Sequence, residues 1–237
     1  MGTVHIILDS CRFDTYQAAD KNILKDAIRA RACANHTVPV FVEAVCYGRI
    51  PGDTRTGPAT IHLLDDADHT YFYTDNVHLH PAVSPVKELH RKFTDYRCFD
   101  TPYNSLDRIV SAANKVRLGD NDIMWLWTGN THQPYSWFDD RFTGWPELKF
   151  HYTNQTMTQP MLDRAKARQV AMCQLTMDYI EQRLWDHIKG HTVYLWGDHG
   201  ELFGEDGLFG HGGADRSHPH VYDVPLVKHG GEHVTTV

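Results

Sequence analysis

Trp196-Gly-Asp-His-Gly-Glu201 sets a carboxylate and an imidazole side by side, Asp198 and His199, behind a short apolar run. One hard oxygen and one borderline nitrogen suit a catalytic divalent metal. The chain opens in the same way, with Val4-His-Ile-Ile-Leu8 running into Asp9. Between these acids stands Thr37-Val-Pro39, a helix-start composition, because Thr caps well and Pro is tolerated in a first turn. The free backbone N–H groups and dipole of such a start favour an anion. A threonine hydroxyl held on a divalent ion has a lowered pKa and becomes a nucleophile near neutral pH. Asp9, Thr37, Asp198 and His199 are therefore the candidate metal ligands, and Thr37 is the candidate nucleophile.

These tips need strands and helices to carry them. Val4–Leu8, His69–Thr74, Asp122–Trp127 and Thr192–Trp196 are β-branched and aromatic runs of strand length. A last short strand is expected over Val221–Val227. Asp20 is placed to cap a helix through about Ala32, with Ile23, Leu24, Ala27, Ile28 and Ala32 as its buried face. Further helices are expected from Thr37, over Thr60–Leu64, and from Asp163 to Lys189, where Cys173, Met177, Ile180, Leu184 and Ile188 recur at helical spacing. The polar stretch from about Trp137 to Gln159 reads as a lid or substrate-side excursion. Strands alternating with helices predict a three-layer α/β sandwich with a mainly parallel central sheet. Ligands of such sheets collect at the C-terminal strand ends. No linker or repeat divides the chain, so residues 1–237 are expected to form one domain.

The 237 residues suffice for a sizeable core, and 41% hydrophobic with 22% charged residues is an ordinary globular composition. A formal net charge of −7 argues against nucleic acid as a diffuse partner. No apolar run approaches membrane-spanning length, so no membrane partner is expected. Cys11, Cys33, Cys46, Cys98 and Cys173 are odd in number and contain no CxxC pair. Reduced thiols, with no signal peptide in the opening residues, predict a cytoplasmic protein.

At these same residues the chain resembles the alkaline phosphatase/sulfatase superfamily. Ile6-Ile-Leu-Asp9 resembles its metal-binding opening strand, and Thr37-Val-Pro39 its nucleophile turn. Thr131-His132-Gln-Pro134-Tyr135 is similar to its central loop, whose His contacts the substrate anion. Asp198-His199-Gly-Glu201 with Gly210-His211-Gly212 resembles its C-terminal metal and anion motif. The resemblance implies an alkaline phosphatase-like fold without the usual C-terminal subdomain, and roles for His132 and His211 in stabilising the transferring group. The glycines flanking His211 also let backbone approach a ligand closely. No cysteine stands in the context that sulfatases convert to formylglycine, and Asp9-Ser10 supplies one acid where an acid pair is often found.

The expectation is a metal-dependent hydrolase of small anionic phosphate esters, working through Thr37 on Mn2+ or Zn2+, with Mg2+ or Ca2+ the poorer match to a histidine ligand. Transfer to an alcohol acceptor is the enzymatic alternative, and a non-catalytic metal- or anion-binding protein is the alternative of another class. Arg12 has two readings, a surface ion pair with Asp14 or a counter-charge for the substrate. His78, His80, His218 and His220 are read as bystanders. Oligomeric state is left open.

Overall fold

The computed structural model describes residues 1–53, 63–83, 86–99, 105–133, 135, 156–211 and 218–230. Among the described residues seven strands form one sheet, in the order β2 (Ile28–Arg31), β9 (Asp223–His229), β6 (Thr192–Gly197), β1 (Thr3–Leu8), β5 (Ile123–Thr128), β3 (Thr70–Thr74) and β4 (Asp95–Cys98), while β7 (Leu202–Phe203) pairs with β8 (Phe209–Gly210) apart from it. The five strands β6, β1, β5, β3 and β4 run parallel. On one flank β9 pairs antiparallel with β6, and β2 antiparallel with β9. The mainly parallel α/β sheet is as the alternation of elements implies.

Alternation along each strand sends side chains into two cores. Val4, Ile6, Leu8, Met124, Leu126, Val193 and Leu195 pack with α1 (Phe13–Ala18), α5 (Leu106–Ala113) and α6 (Gln159–Arg183). Ile7, Phe72, Trp125, Trp127 and Trp196 face the other way, onto α2 (Thr37–Tyr47) through Val40, Phe41, Ala44 and Val45. Trp125 and Trp127 are fully buried, so this pair is core and not a stacking platform. His5 lies in the same layer, stacked on Trp125 at 5.7 Å and on Tyr194 at 5.2 Å. Its Nδ1 accepts from Trp196 Nε1.

Four expected elements differ from those observed. Residues 20–27 are not helical, and Ile28–Arg31 forms edge strand β2, so the helix proposed from Asp20 to Ala32 does not exist. Ile28 is 64% exposed, while Ala30 points inward and Arg29 and Arg31 outward, the period of a strand. The outer edge of β9 supplies backbone partners that local helix spacing could not foretell. The long C-terminal helix starts at Gln159, with Pro160 in its first turn, and breaks at Leu184 before a short helix α7 (Trp185–Ile188). The last strand begins at Asp223 and follows the short helix α8 (Pro219–Tyr222). The helix expected over Thr60–Leu64 appears as the turn α3 (Leu63–Asp66), with residues 54–62 outside those described. The excursion from Trp137 also falls mostly outside them. Among the described residues, the 3-10 turns Val77–Leu79 and His90–Lys92 and the short helix α4 (Val86–Leu89) lie between β3 and β4.

Among the described residues, no helix is long and apolar enough to cross a membrane.

Candidate metal centre and anion pocket

Register brings the two acids together. Leu8 pairs with Gly197 across β1 and β6, so Asp9 and Asp198 leave adjacent strands at the same height. Gly197 has to be glycine there, since an added Cβ would stand 2.6 Å from the Cys11 carbonyl oxygen. Gly200 is under the same constraint, its Cβ position lying 2.1 Å from the His220 carbonyl oxygen. The first close approach sets the loop after β6 against the loop after β1, and the second sets it against α8. Ser10, in the left-handed region at φ 58°, turns its backbone N–H to donate to Asp198 Oδ1 at 2.8 Å. The His199 N–H donates to the same oxygen at 2.8 Å.

Asp198 Oδ2 is left for the site. It accepts a hydrogen bond from Thr37 Oγ1 at 2.9 Å. Thr37 is the first residue of α2, with His36 in extended conformation at the cap. Thus Thr37 occupies the first turn and not the cap itself, and its hydroxyl is free of capping duty and points at the acid. His199 Nε2 lies 3.5 Å from Asp198 Oδ2 and 3.8 Å from Asp9 Oδ1, while its Nδ1 donates to the Gly200 carbonyl oxygen at 3.1 Å. That bond fixes the tautomer and turns Nε2 toward the carboxylates.

Asp9, Asp198 and His199 are all buried, and one ligand atom from each lies within 4.8 Å of the others. Burial, and then the neighbouring Asp198 charge, pushes the Asp9 carboxyl well up. Burial raises Asp198 to about 6 and holds His199 well below the usual imidazole range, with nearby His211 adding to the latter shift. Two buried acids facing one imidazole nitrogen are costly unless a cation shares them. The donor set of two carboxylates, one imidazole and one hydroxyl therefore fits a divalent ion of the Zn2+ or Mn2+ type.

Above this group opens a cavity of about 330 Å³ lined by Asn35, His36, Thr37, Val38, His78, His132 and His211. His211 lies tilted against His199 at 4.2 Å and edge-on to His132 at 5.5 Å, centroid to centroid. Burial lowers His132 to about 4. The structure thus brings Asp9, Thr37, Asp198, His199, His132 and His211 into one place, from four separated stretches of chain.

No protein family matches the chain, and no curated protein matches it in sequence. Solved structures do match. The C-terminal periplasmic domain of phosphoethanolamine transferase EptC from Campylobacter jejuni aligns with TM-score 0.64 at 14% identity, over 96% of this chain and 78% of that one. The corresponding domain of EptC from Escherichia coli, in complex with Zn, gives 0.63 at 13% identity over 98% and 73%. A protein in the alkaline phosphatase superfamily from Vibrio parahaemolyticus gives 0.52 at 14% identity over 97% and 60%. The chain has the alkaline phosphatase-like fold.

Within that fold several residues sit at the centre that the sequence reading passed over. Asn76, at the tip of β3, is fully buried and its Nδ2 donates to Asp9 Oδ2 and, at 3.3 Å, to Thr37 Oγ1. The signal was available, because His69–Thr74 reads as a strand run and Asn76 lies just past its C-terminal end, as Asp9 does past that of β1. Glu201, quoted within the tail motif without a role, accepts from His211 Nδ1 at 3.2 Å and from the Tyr135 hydroxyl. Burial works to raise its carboxyl, yet the hydrogen bond from His211 and the charges of His132 and His211 leave it below the ordinary value. His78, read as a bystander, lines the cavity together with His36.

Arg12 takes neither expected form in full. It is buried and bidentate to Asp14 at 2.8 and 2.9 Å, and its Nη1 also bonds Glu205 at 2.6 Å and the Glu201 carbonyl oxygen at 3.2 Å. It does not line the cavity, so its charge clamps the C-terminal loop. Gln169, on α6, completes the frame. Its Nε2 donates to the Ser10 and Thr131 carbonyl oxygens at 2.9 and 3.0 Å, and its Oε1 accepts from Thr15 Oγ1 at 2.6 Å.

Proposed function

We propose that this protein is a metal-dependent phosphoryl-transfer enzyme. In this reading residues 1–237 act as one catalytic domain on a small anionic phosphate ester, with Thr37 as nucleophile and water as acceptor. The observation that carries the proposal is the 2.9 Å bond from Thr37 Oγ1 to Asp198 Oδ2, within the buried group that also holds Asp9 and His199.

Asp9, Thr37, Asp198 and His199 would hold a divalent ion, which would supply the Lewis acidity that lowers the pKa of the Thr37 hydroxyl. The Zn complex of a similar domain supports zinc, and the donor set also suits manganese better than magnesium or calcium. In the resting arrangement Asp198 Oδ2 takes the hydroxyl hydrogen and aims the Thr37 lone pairs toward the cavity. Thr37 Oγ1 then attacks phosphorus in line as its proton passes to Asp198 Oδ2; a bond forms from Oγ1 to phosphorus as that to the leaving alkoxide breaks, and the alkoxide takes up that proton. The N–H groups at the start of α2 and the imidazoles of His132 and His211 meet the equatorial oxygens. Water then attacks the phosphothreonine from the vacated side, releasing phosphate or a phosphate ester and returning the Thr37 hydroxyl.

A second reading has specific support: two of the similar structures are phosphoethanolamine transferases, and a lipoteichoic acid synthase from Listeria monocytogenes is a third match at TM-score 0.57 and 12% identity. In that reading an alcohol replaces water as acceptor. The test is turnover of nitrophenyl phosphate mono- and diesters, phosphonates and sulfates by metal-replete protein, with and without added alcohols. Phosphate release supports hydrolysis, and a new ester that grows with alcohol concentration supports transfer. Preferred sulfate cleavage would overturn the phosphoryl reading, and no turnover at all would favour a binding protein.

The cellular compartment is part of the proposal. Five free cysteine side chains suit the cytoplasmic expectation, whereas the two similar transferase domains are named as periplasmic. Those domains weigh more with us than thiol content, and cell fractionation reads the answer directly.

A further inference from the structure

His132 and His211 both lie against one buried carboxylate that the reaction outlined above does not use. Glu201 is fully buried, and one of its carboxyl oxygens, a His211 ring nitrogen and a His132 ring nitrogen lie within 4.8 Å of one another. One oxygen accepts from His211 Nδ1 at 3.2 Å, and the other accepts from the Tyr135 hydroxyl. A carboxylate has no hydrogen to give, so His211 Nδ1 carries the proton of that bond and Nε2 is the nitrogen turned elsewhere.

Tyr135 is an unusual anchor. Its backbone sits at φ 50°, a region bulky residues seldom enter, and its side chain is 1% exposed. The Tyr135 N–H donates to the His132 carbonyl oxygen at 2.8 Å, closing the turn that carries His132. The ring packs among Leu162, Met172, Phe203 and Phe209. The strained turn is therefore held by a small apolar core at one end and by Glu201 at the other. Through Tyr135, Glu201 joins the loop after β5 to the loop after β6.

We propose that Glu201 is a positioning residue that holds His211, and through Tyr135 the His132 turn, so that both imidazoles meet the transferring group in a fixed geometry. The proposal rests on the phosphoryl-transfer reading. It adds that the anion pocket is preorganised by a buried carboxylate–tyrosine link and not by packing alone. The rival assignment for the same three groups is a second cation site.

The test uses Glu201→Gln and Tyr135→Phe in the metal-replete protein. Glu201→Gln is expected to lower kcat about 10- to 100-fold with KM changed less than about threefold, as outer partners of site histidines do. Tyr135→Phe is expected to lower kcat about threefold to tenfold. In 15N-histidine spectra, His211 is expected as the Nδ1–H tautomer in the wild type and to shift toward Nε2–H in Glu201→Gln, with metal content unchanged. Wild-type kcat in both variants, beside an inactive Thr37→Ala, would overturn the proposal. So would the loss of one metal equivalent in Glu201→Gln, which would make the residue a ligand. If Glu201→Gln does not fold, the Tyr135→Phe kinetics decide. An active Thr37→Ala would instead sink the underlying reading, and the tautomer spectra would still decide the Glu201–His211 link.

Discussion

Thr37 Oγ1 gives its hydrogen to Asp198 and receives one from Asn76, so its lone pairs have few directions left. Thr37→Ala is expected to reduce turnover by roughly three orders of magnitude or more, with metal content largely kept, whereas Asp198→Ala loses both. Parallel kinetics and elemental analysis check this, and a Thr37→Ala variant with wild-type turnover would remove the nucleophile assignment. Asn76→Leu is expected to cost about 10- to 100-fold in kcat or metal affinity, because both Asp9 and the hydroxyl lose a donor. Asp9, Asp198 and His199 were legible as residues because their types are uncommon at strand ends without a ligand. Asn76 and Glu201 were less so, since an amide or a carboxylate acquires such a role only from what stands across from it.

Strands β1, β5 and β6 were legible because fully buried parallel strands read as continuous apolar runs. The segment 20–32 misled for the opposite reason. Its apolar spacing suits a helix, yet the open edge of β9 offers hydrogen-bond partners over Ile28–Arg31. Gln169 shows how one helix position serves two loops. Gln169→Leu removes the donor to the Ser10 and Thr131 carbonyl oxygens, and a loss of about 1–3 kcal/mol is expected for buried acceptors left unmet. Thermal melting reads that as a fall of about 2–4 °C per kcal/mol in a chain of this size. An unchanged melting temperature would mean that water replaces the amide.

The balance of charge in the whole molecule sets its response to acid and to chelators. His5, buried between Trp125 and Tyr194, is held down to about 4 because burial disfavours the imidazolium. The unfolded chain therefore binds the extra proton first. Stability from this group is full above about pH 6.5, the unfolded value, and is lost as pH falls toward 4, by about 3 kcal/mol in all. Urea titrations across that window should show the loss, and His5→Phe should flatten it; equal slopes in both proteins would refute the assignment. Metal removal acts on the centre itself. An ion present at about 100 times its dissociation constant adds about 2.7 kcal/mol, so EDTA is expected to lower the melting temperature by about 5–11 °C. No shift on chelation, with metal shown to be gone, would argue that the buried acids do not depend on a cation. Residue types and hydrophobic periods were enough to announce an α/β sheet with acids at its strand tips, because burial and side-chain chemistry are written locally. Tertiary packing chose β2 over a helix, set Leu8 opposite Gly197, and brought Asn76, Glu201 and Gln169 inward, because strand pairing and side-chain contacts depend on partners that local sequence does not specify.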